Sequence, residues 1–170
     1  MEKSRYEWLK VGNSGYKWVK NTQMMTIRGQ YFHNIDNKGR VTMPTKLREF
    51  LMEELQNDFV VTCWEKCAMI IPRKEWQIVE EKDAKRSILK KEDRNFRLYF
   101  MSGAVDSSLD SIGRLFIPPN LRKHARLEKA VVLVGMGRTI EIWDEKRFMQ
   151  KIEGTDIITE CGEYLADLGI

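Results

Sequence analysis

The sequence predicts an α+β fold with a mainly β core, built as a pseudo-twofold pair of hairpin units with peripheral helices. Three observations point there. A block of residues recurs at an offset of 74, each copy is followed by an apolar hairpin, and each hairpin runs into a charged, helix-like segment carrying an aromatic, Trp76 and then Phe148. A repeat of this kind has to be found before any element is assigned, because it decides the architecture.

In the alignment "GQYFHNIDNKGRVTMPTKLR" lies over "GAVDSSLDSIGRLFIPPNLR". Gly29, Asp36, Gly39, Arg40, Pro44, Leu47 and Arg48 recur as Gly103, Asp110, Gly113, Arg114, Pro118, Leu121 and Arg122, and Ile35 answers Leu109. Residues 30–35 and 40–43 are rich in β-branched and aromatic types and read as strands. Between them "DNKG" suits a tight turn: the Asp accepts the following backbone N–H groups and the Gly tolerates positive φ. "DSIG" at 110–113 repeats that chemistry, so Arg40 and Arg114 each leave a turn at the start of a strand. Pro44 and Pro118 stop those strands because they cannot donate to a ladder. A short helix follows, with Leu47, Phe50, Leu51 and Leu55 on one face and Thr45 as its cap.

The apolar hairpins are "DFVVTCWEKCAMIIP" and "KAVVLVGMGRTIEIW". Each unit, of roughly 45 residues, is too small to hide such strands alone, so the two share one core. The chain therefore divides into an N-terminal extension (1–24), unit 1 (30–75), a helical connection (76–103), unit 2 (104–147) and a helical acidic tail (148–170). In the connection Trp76, Val79, Ile88, Leu89, Phe96, Leu98, Tyr99 and Phe100 predict two packed helices. Residues 145–169 read as a further helix pair broken near Gly154 and Gly162.

Length and composition bound the function. The 170 residues carry 29 Lys+Arg against 25 Asp+Glu, a net charge of +4. Residues 1–23 supply +3 of it, so the rest of the chain cannot hold a polyanion by bulk charge and needs a local patch. One lies between Arg28 and Arg48, where Lys38, Arg40 and Lys46 join them against a single acid, Asp36. The segment from Ile152 onward has five acids and no base. The longest apolar run, Ala130 to Val134, is far short of the about 20 residues a membrane helix needs. Charges at Glu2, Lys3, Arg5, Glu7 and Lys10 interrupt any signal-peptide core. Three Cys fit a reducing cytosol better than a disulfide scaffold.

The doubled D-x-x-G-R-x-x-x-P, with "IRGQYFHNIDNKGRVTMP", "FRLYFMSGAVDSSLDSIGRLFIPPNLR" and "VVLVGMGRTIEIWD", resembles the MraZ family of tandem SpoVT/AbrB-like proteins over roughly residues 25 to 150. The resemblance implies a swapped-hairpin β-barrel made from both SpoVT/AbrB-like units, with helices outside, and a ring homo-oligomer. It also implies a cytoplasmic, nucleoid-associated transcriptional regulator, usually a repressor, of the division and cell-wall gene cluster. Such regulators bind TGGGN direct repeats in double-stranded DNA upstream of their own operon. The DNA-contacting arginine of the family's first motif maps onto Arg40. A rigidly presented Arg suits that target, since it donates to guanine O6 and N7 together. Arg28, Lys38 and Lys46 are candidate phosphate contacts, and Thr42, on the strand face of Arg40, is a candidate base or phosphate contact. Arg114 is the second-unit equivalent, but Ile112 stands where Lys38 does and Ser107 where His33 does. Unit 1 is therefore expected to read DNA and unit 2 to complete the barrel and the ring. Asp36, Gly39, Asp110 and Gly113 form the turns.

Relatives of this family begin near Met24 or Met25, so residues 1–23 stand apart. Read back through the code, Trp18-Val19 forces TGGGT, while Ser14-Gly15 and Val11-Gly12 permit TGGG, the three starts falling ten nucleotides apart. That spacing is about one duplex turn. The segment is expected to be the operator itself, conceptually translated; the alternative is a basic arm adding phosphate contacts.

Other chemistry finds little support. Cys63 and Cys67 lie in one hairpin without the further ligands a zinc site needs. His33 and His124 are isolated, and no nucleophile elbow, phosphate loop or dinucleotide fingerprint is present. Neither an enzyme nor a cofactor or metal is expected. The competing class is a protein-interaction module, antitoxin-like, with the acidic tail and helix pairs as its surface.

Overall fold

The computed structural model describes residues 6–11, 15–20 and 26–168. Its β-strands are β1 (Tyr6–Val11), β2 (Gly15–Lys20), β3 (Ile27–Asn34), β4 (Arg40–Thr42), β5 (Phe59–Trp64), β6 (Cys67–Pro72), β7 (Val105–Ser107), β8 (Arg114–Phe116), β9 (Ala130–Gly137) and β10 (Thr139–Asp144). Helices α1 (Thr45–Glu49), α2 (Arg73–Ala84), α3 (Lys91–Phe96), α4 (Pro119–Ala125), α5 (Glu145–Ile152) and α6 (Thr155–Asp167) complete the chain. Strands β1 and β2 pair only with each other.

The strand order of the main sheet is β3-β9-β10-β6-β5-β7, antiparallel throughout. The 74-residue repeat is visible in this order, because it reads as a palindrome about the β10–β6 pair. Each unit's first strand lies beside the other unit's hairpin: β3 pairs β9 from Ile27↔Gly137 to Asn34↔Ala130, and β7 pairs β5. The two short strands do the same, as β4 pairs β8 in a separate ladder. The strands at 30–35 and 40–43 therefore meet locally only at their turn, through the bridge Ile35↔Val41. Both find their long partners in unit 2. Among the described residues the ladders form an open six-stranded sheet, this two-stranded one and the β1–β2 pair, and not the closed barrel expected.

Burial explains why β9 is a continuous apolar run rather than an alternating one: both its faces are covered. Val131 and Leu133 join the main core with Val41, Leu47, Leu51, Phe59, Leu115 and Ile117, while Val132 and Val134 pack on the other face with Trp143 and Phe148 of α5. Trp76 of α2 and Phe100 cover Val60 and Ile71 in a third cluster. Arg73, opening α2, bridges Asp58 at 3.0 Å and Asp106 at 2.6 Å, tying β7 to unit 1.

The predicted helix pair in the connection is α2 with α3, cross-linked by Arg97–Asp83 at 2.7 Å and Arg86–Asp93 at 3.1 Å. Two local expectations are corrected, the cap of α1 and the break near Gly162. Thr45 does not cap α1: it is the first helical residue, Pro44 occupies the cap position, and no side chain caps the helix end. That first turn is ordered instead by the fixed φ of proline. Both α1 and α3 loosen into π-helical turns, with Leu55 donating to Phe50 O at 3.2 Å and Ser102 to Arg97 O at 2.8 Å. Gly162 does not break α6, which runs through it; a single interior glycine costs only about 1 kcal/mol against alanine.

Candidate nucleic-acid interface

Residues 36–40 build the site from the backbone up. Asp36 N–H donates to Arg40 O at 2.8 Å and Gly39 N–H to Asp36 O at 2.9 Å, closing the turn. Asp36 Oδ1 accepts the N–H groups of Lys38 and Arg40, both at 2.9 Å. Its Oδ2 accepts Arg40 Nε at 2.8 Å and lies 2.7 Å from Nη2. The guanidinium is thus fixed on one edge, and among the described residues its Nη1 has no partner. Those bonds, with Arg40's side-chain contact the largest cause, draw the Asp36 carboxyl down from 3.8 to about 2.

The second turn repeats the geometry. Asp110 Oδ1 accepts Ile112 N–H at 3.1 Å and Arg114 N–H at 2.9 Å, and Oδ2 accepts Arg114 Nε at 2.8 Å. Asp110 is likewise lowered, first by the Arg114 backbone N–H and then by its side chain. Gly39 and Gly113 have φ of +80° and +81°, and each lies under an arginine of the other unit. A Cβ at Gly39 would sit 2.8 Å from Arg122 Cζ, and one at Gly113 2.6 Å from Arg48 Cδ. Met43 N–H donates to Gly113 O at 3.0 Å and Ile117 N–H to Gly39 O at 2.9 Å, so each turn is docked on the other unit's strand.

The β4–β8 ladder then sorts its side chains by face. Val41 and Leu115 pair and are fully buried. On the outer face Arg40 stands opposite Phe116 and Thr42 opposite Arg114. The two arginine side chains are 27% and 26% exposed, poised between anchoring and solvent. Thr42 and Lys38 are exposed, and so is Phe116. The ladder brings Arg40, Thr42 and Arg114 onto one surface, the two arginines held in equivalent geometry.

Two other candidates sit elsewhere. Arg28 is exposed at the start of β3, opposite Met136, eight positions before Asp36 of the first turn. At about 3.3 Å per residue that is roughly 25 Å away. Lys46 is exposed on α1, the helix whose Arg48 covers the second turn. Phe116 was missed as a surface residue, although the 74-residue offset places it under Thr42. Cys63 and Cys67 are buried in different clusters on the two faces of the sheet, where burial pushes both thiols up. His33 is half-buried on β3, and His124 Nε2 lies 2.9 Å from Glu65 O.

Comparison with known proteins adds a family. The family model described as "MraZ protein, putative antitoxin-like" matches residues 26–98 and 100–157. The chain is 39% identical over 146 residues to "Transcriptional regulator MraZ" of Thermoanaerobacter sp. (strain X514), covering 85% of this chain and 99% of that protein. Proteins of the same name from Clostridium tetani and Pediococcus pentosaceus are 36% and 38% identical, each over 84% of this chain and 98% of their own length.

Proposed function

Because the chain belongs to the MraZ family, we propose that it is a sequence-specific DNA-binding transcriptional regulator whose β4–β8 outer face reads guanine edges in the major groove. One observation carries this reading: Arg40 and Arg114 flank Thr42 on a solvent-facing ladder, each guanidinium held by a turn carboxylate that leaves its far edge to a ligand. A guanidinium pre-positioned in this way loses little freedom when it donates to O6 and N7. The finer reading is a repressor of the division and cell-wall gene cluster. It acts on the nucleoid in the cytoplasm and binds TGGG-type direct repeats upstream of its own operon as a ring homo-oligomer. The cross-unit pairing of β3 with β9 and β4 with β8 supports the swapped-hairpin barrel of that reading. In a ring, successive repeats about one duplex turn apart meet successive subunits, so affinity rises steeply with repeat number.

The test is an electrophoretic shift on duplexes with one or three TGGG steps and on a scrambled duplex. Wild type is expected to prefer three steps, and Arg40→Ala to lose about 10- to 100-fold on them, the about 1–3 kcal/mol of a correct bidentate contact. Arg40→Lys should not rescue, because a point charge cannot replace the fork. No preference over scrambled DNA would instead favour the second reading, a protein-interaction module. That reading draws on the exposed apolar side chains Ile158, Tyr164 and Leu165 of α6, and Leu168 just after it, among its acids.

A further inference from the structure

The internal twofold is kept in the order of the strands and broken by charge. Two surface concavities are related by the 74-residue offset. One, of about 420 Å³, is lined by Pro119, Arg122, Lys123, Arg126, Leu127 and Glu128. The other, of about 350 Å³, is lined by Arg48, Glu49, Met52 and Glu53 beside the second turn, residues 110–113. The offset sets Lys123 where Glu49 is and Arg126 where Met52 is. The basic concavity reaches the first turn through one of its lining residues, Arg122, which lies over Gly39. That is also the turn with Lys38; the second has Ile112.

Arg126 adds an independent observation. It ends α4 in the left-handed region at φ +49°, a position that favours glycine. Its N–H donates to Lys123 O at 3.2 Å and that of Leu127 to Arg122 O at 2.9 Å, so the backbone closure is one a glycine would make with less strain. Lys123 and Arg126 are exposed, and among the described residues neither side chain has a partner. Residues three and four apart share a helix face with Cβ atoms about 5–6 Å apart, so Arg122, Lys123 and Arg126 concentrate three cations within one turn.

We propose that α4 of unit 2 is a phosphate-binding element for the duplex whose bases are met at the first turn, with Lys123 and Arg126 each neutralising a backbone phosphate. This rests on the DNA-reading function proposed above. It makes each subunit an asymmetric reader: the first turn and α4 grip the strand backbone, while the acidic and apolar flank of the second turn does not.

The experiment measures the affinity of the full chain for the three-step duplex and for scrambled DNA from 50 to 300 mM salt. Lys123→Ala/Arg126→Ala should weaken both duplexes by a similar factor and leave the preference between them intact. It should also make the slope of log K against log salt shallower by about two, near 0.9 for each phosphate no longer neutralised. Glu49→Ala/Glu53→Ala should leave the slope unchanged. Arg126→Gly should raise the thermal midpoint by about 2–4 °C while weakening DNA binding, a combination that loss of folding cannot produce. If wild type prefers its repeats but the Lys123/Arg126 pair leaves the slope unchanged, the inference fails and the regulator reading stands; the basic face then serves another surface. If wild type shows no preference at all, the regulator reading fails first.

Discussion

Asp36 does two things with its two oxygens: Oδ1 gathers the backbone of the turn and Oδ2 aims the guanidinium of Arg40. Both interactions need the carboxylate ionised, and the lowered pKa is their signature. A group whose folded pKa lies below its unfolded value stabilises the fold fully above the unfolded value, here near 3.8. It loses that contribution as pH falls through the folded value near 2. Carboxyl-carbon NMR is therefore expected to show the Asp36 midpoint near 2 in wild type and moved up toward 3.8 in Arg40→Ala. A midpoint that ignores the substitution would mean that the ion pair does not hold in solution. The Asp, the Gly and the Arg were all legible in the sequence, because turn chemistry is local. The repeat of that chemistry at Asp110, Gly113 and Arg114 was legible too, and the structure gives Arg114 the same hydrogen bonds as Arg40. The Ile112-for-Lys38 difference changes charge beside the turn, whereas the Asp–Arg hydrogen bonds do not depend on it.

At the scale of elements, each turn is completed by a helix from the other half of the chain. Gly39 needs both its positive φ and its missing Cβ, the second because Arg122 crosses above it while donating its Nε to Ile117 O at 3.0 Å. Gly39→Ala should lower stability by about 1–2 kcal/mol from the left-handed backbone alone, and thermal unfolding measures it. Gly39→Asn should cost less, since Asn tolerates that region better. If Ala and Asn were equally harmful, crowding by Arg122 rather than backbone strain would be the larger effect. Strand existence was readable here from β-branched and aromatic content and from the proline stops at 44 and 118. Strand partners were not, because a period of two says which face is buried and nothing about which neighbour supplies the ladder. Thr45 misled for a related reason. A Thr next to a helix start caps only if it stands one position before the first helical residue, and Pro44 already holds that place.

Over the whole molecule, the repeat fixed the number of units but only the ladders reveal how little each owns of itself. Unit 1 takes the long partner of β3 from unit 2, and gives β5 to β7 in return. Val41 and Leu115, both wholly buried, pair across the same exchange. The roughly 45-residue size of a unit already argued for a shared core; the palindromic strand order makes the dependence mutual. Cutting the chain between the halves should therefore leave two incomplete sheets rather than two small domains. Residues 26–102 alone would expose both the β6 edge that β10 covers and the β5 edge that β7 covers, together with the buried faces of Val41 and Leu47. Neither 26–102 nor 103–168 is expected to be a folded monomer at low micromolar concentration. An equimolar mixture should recover one cooperative thermal transition, with the two halves in one-to-one proportion and sedimenting as the intact chain does. Circular dichroism melts and sedimentation velocity on each half and on the mixture test this. A half that melts cooperatively as a monomer would mean that the exchanged strands decorate two independent cores instead of building a common one.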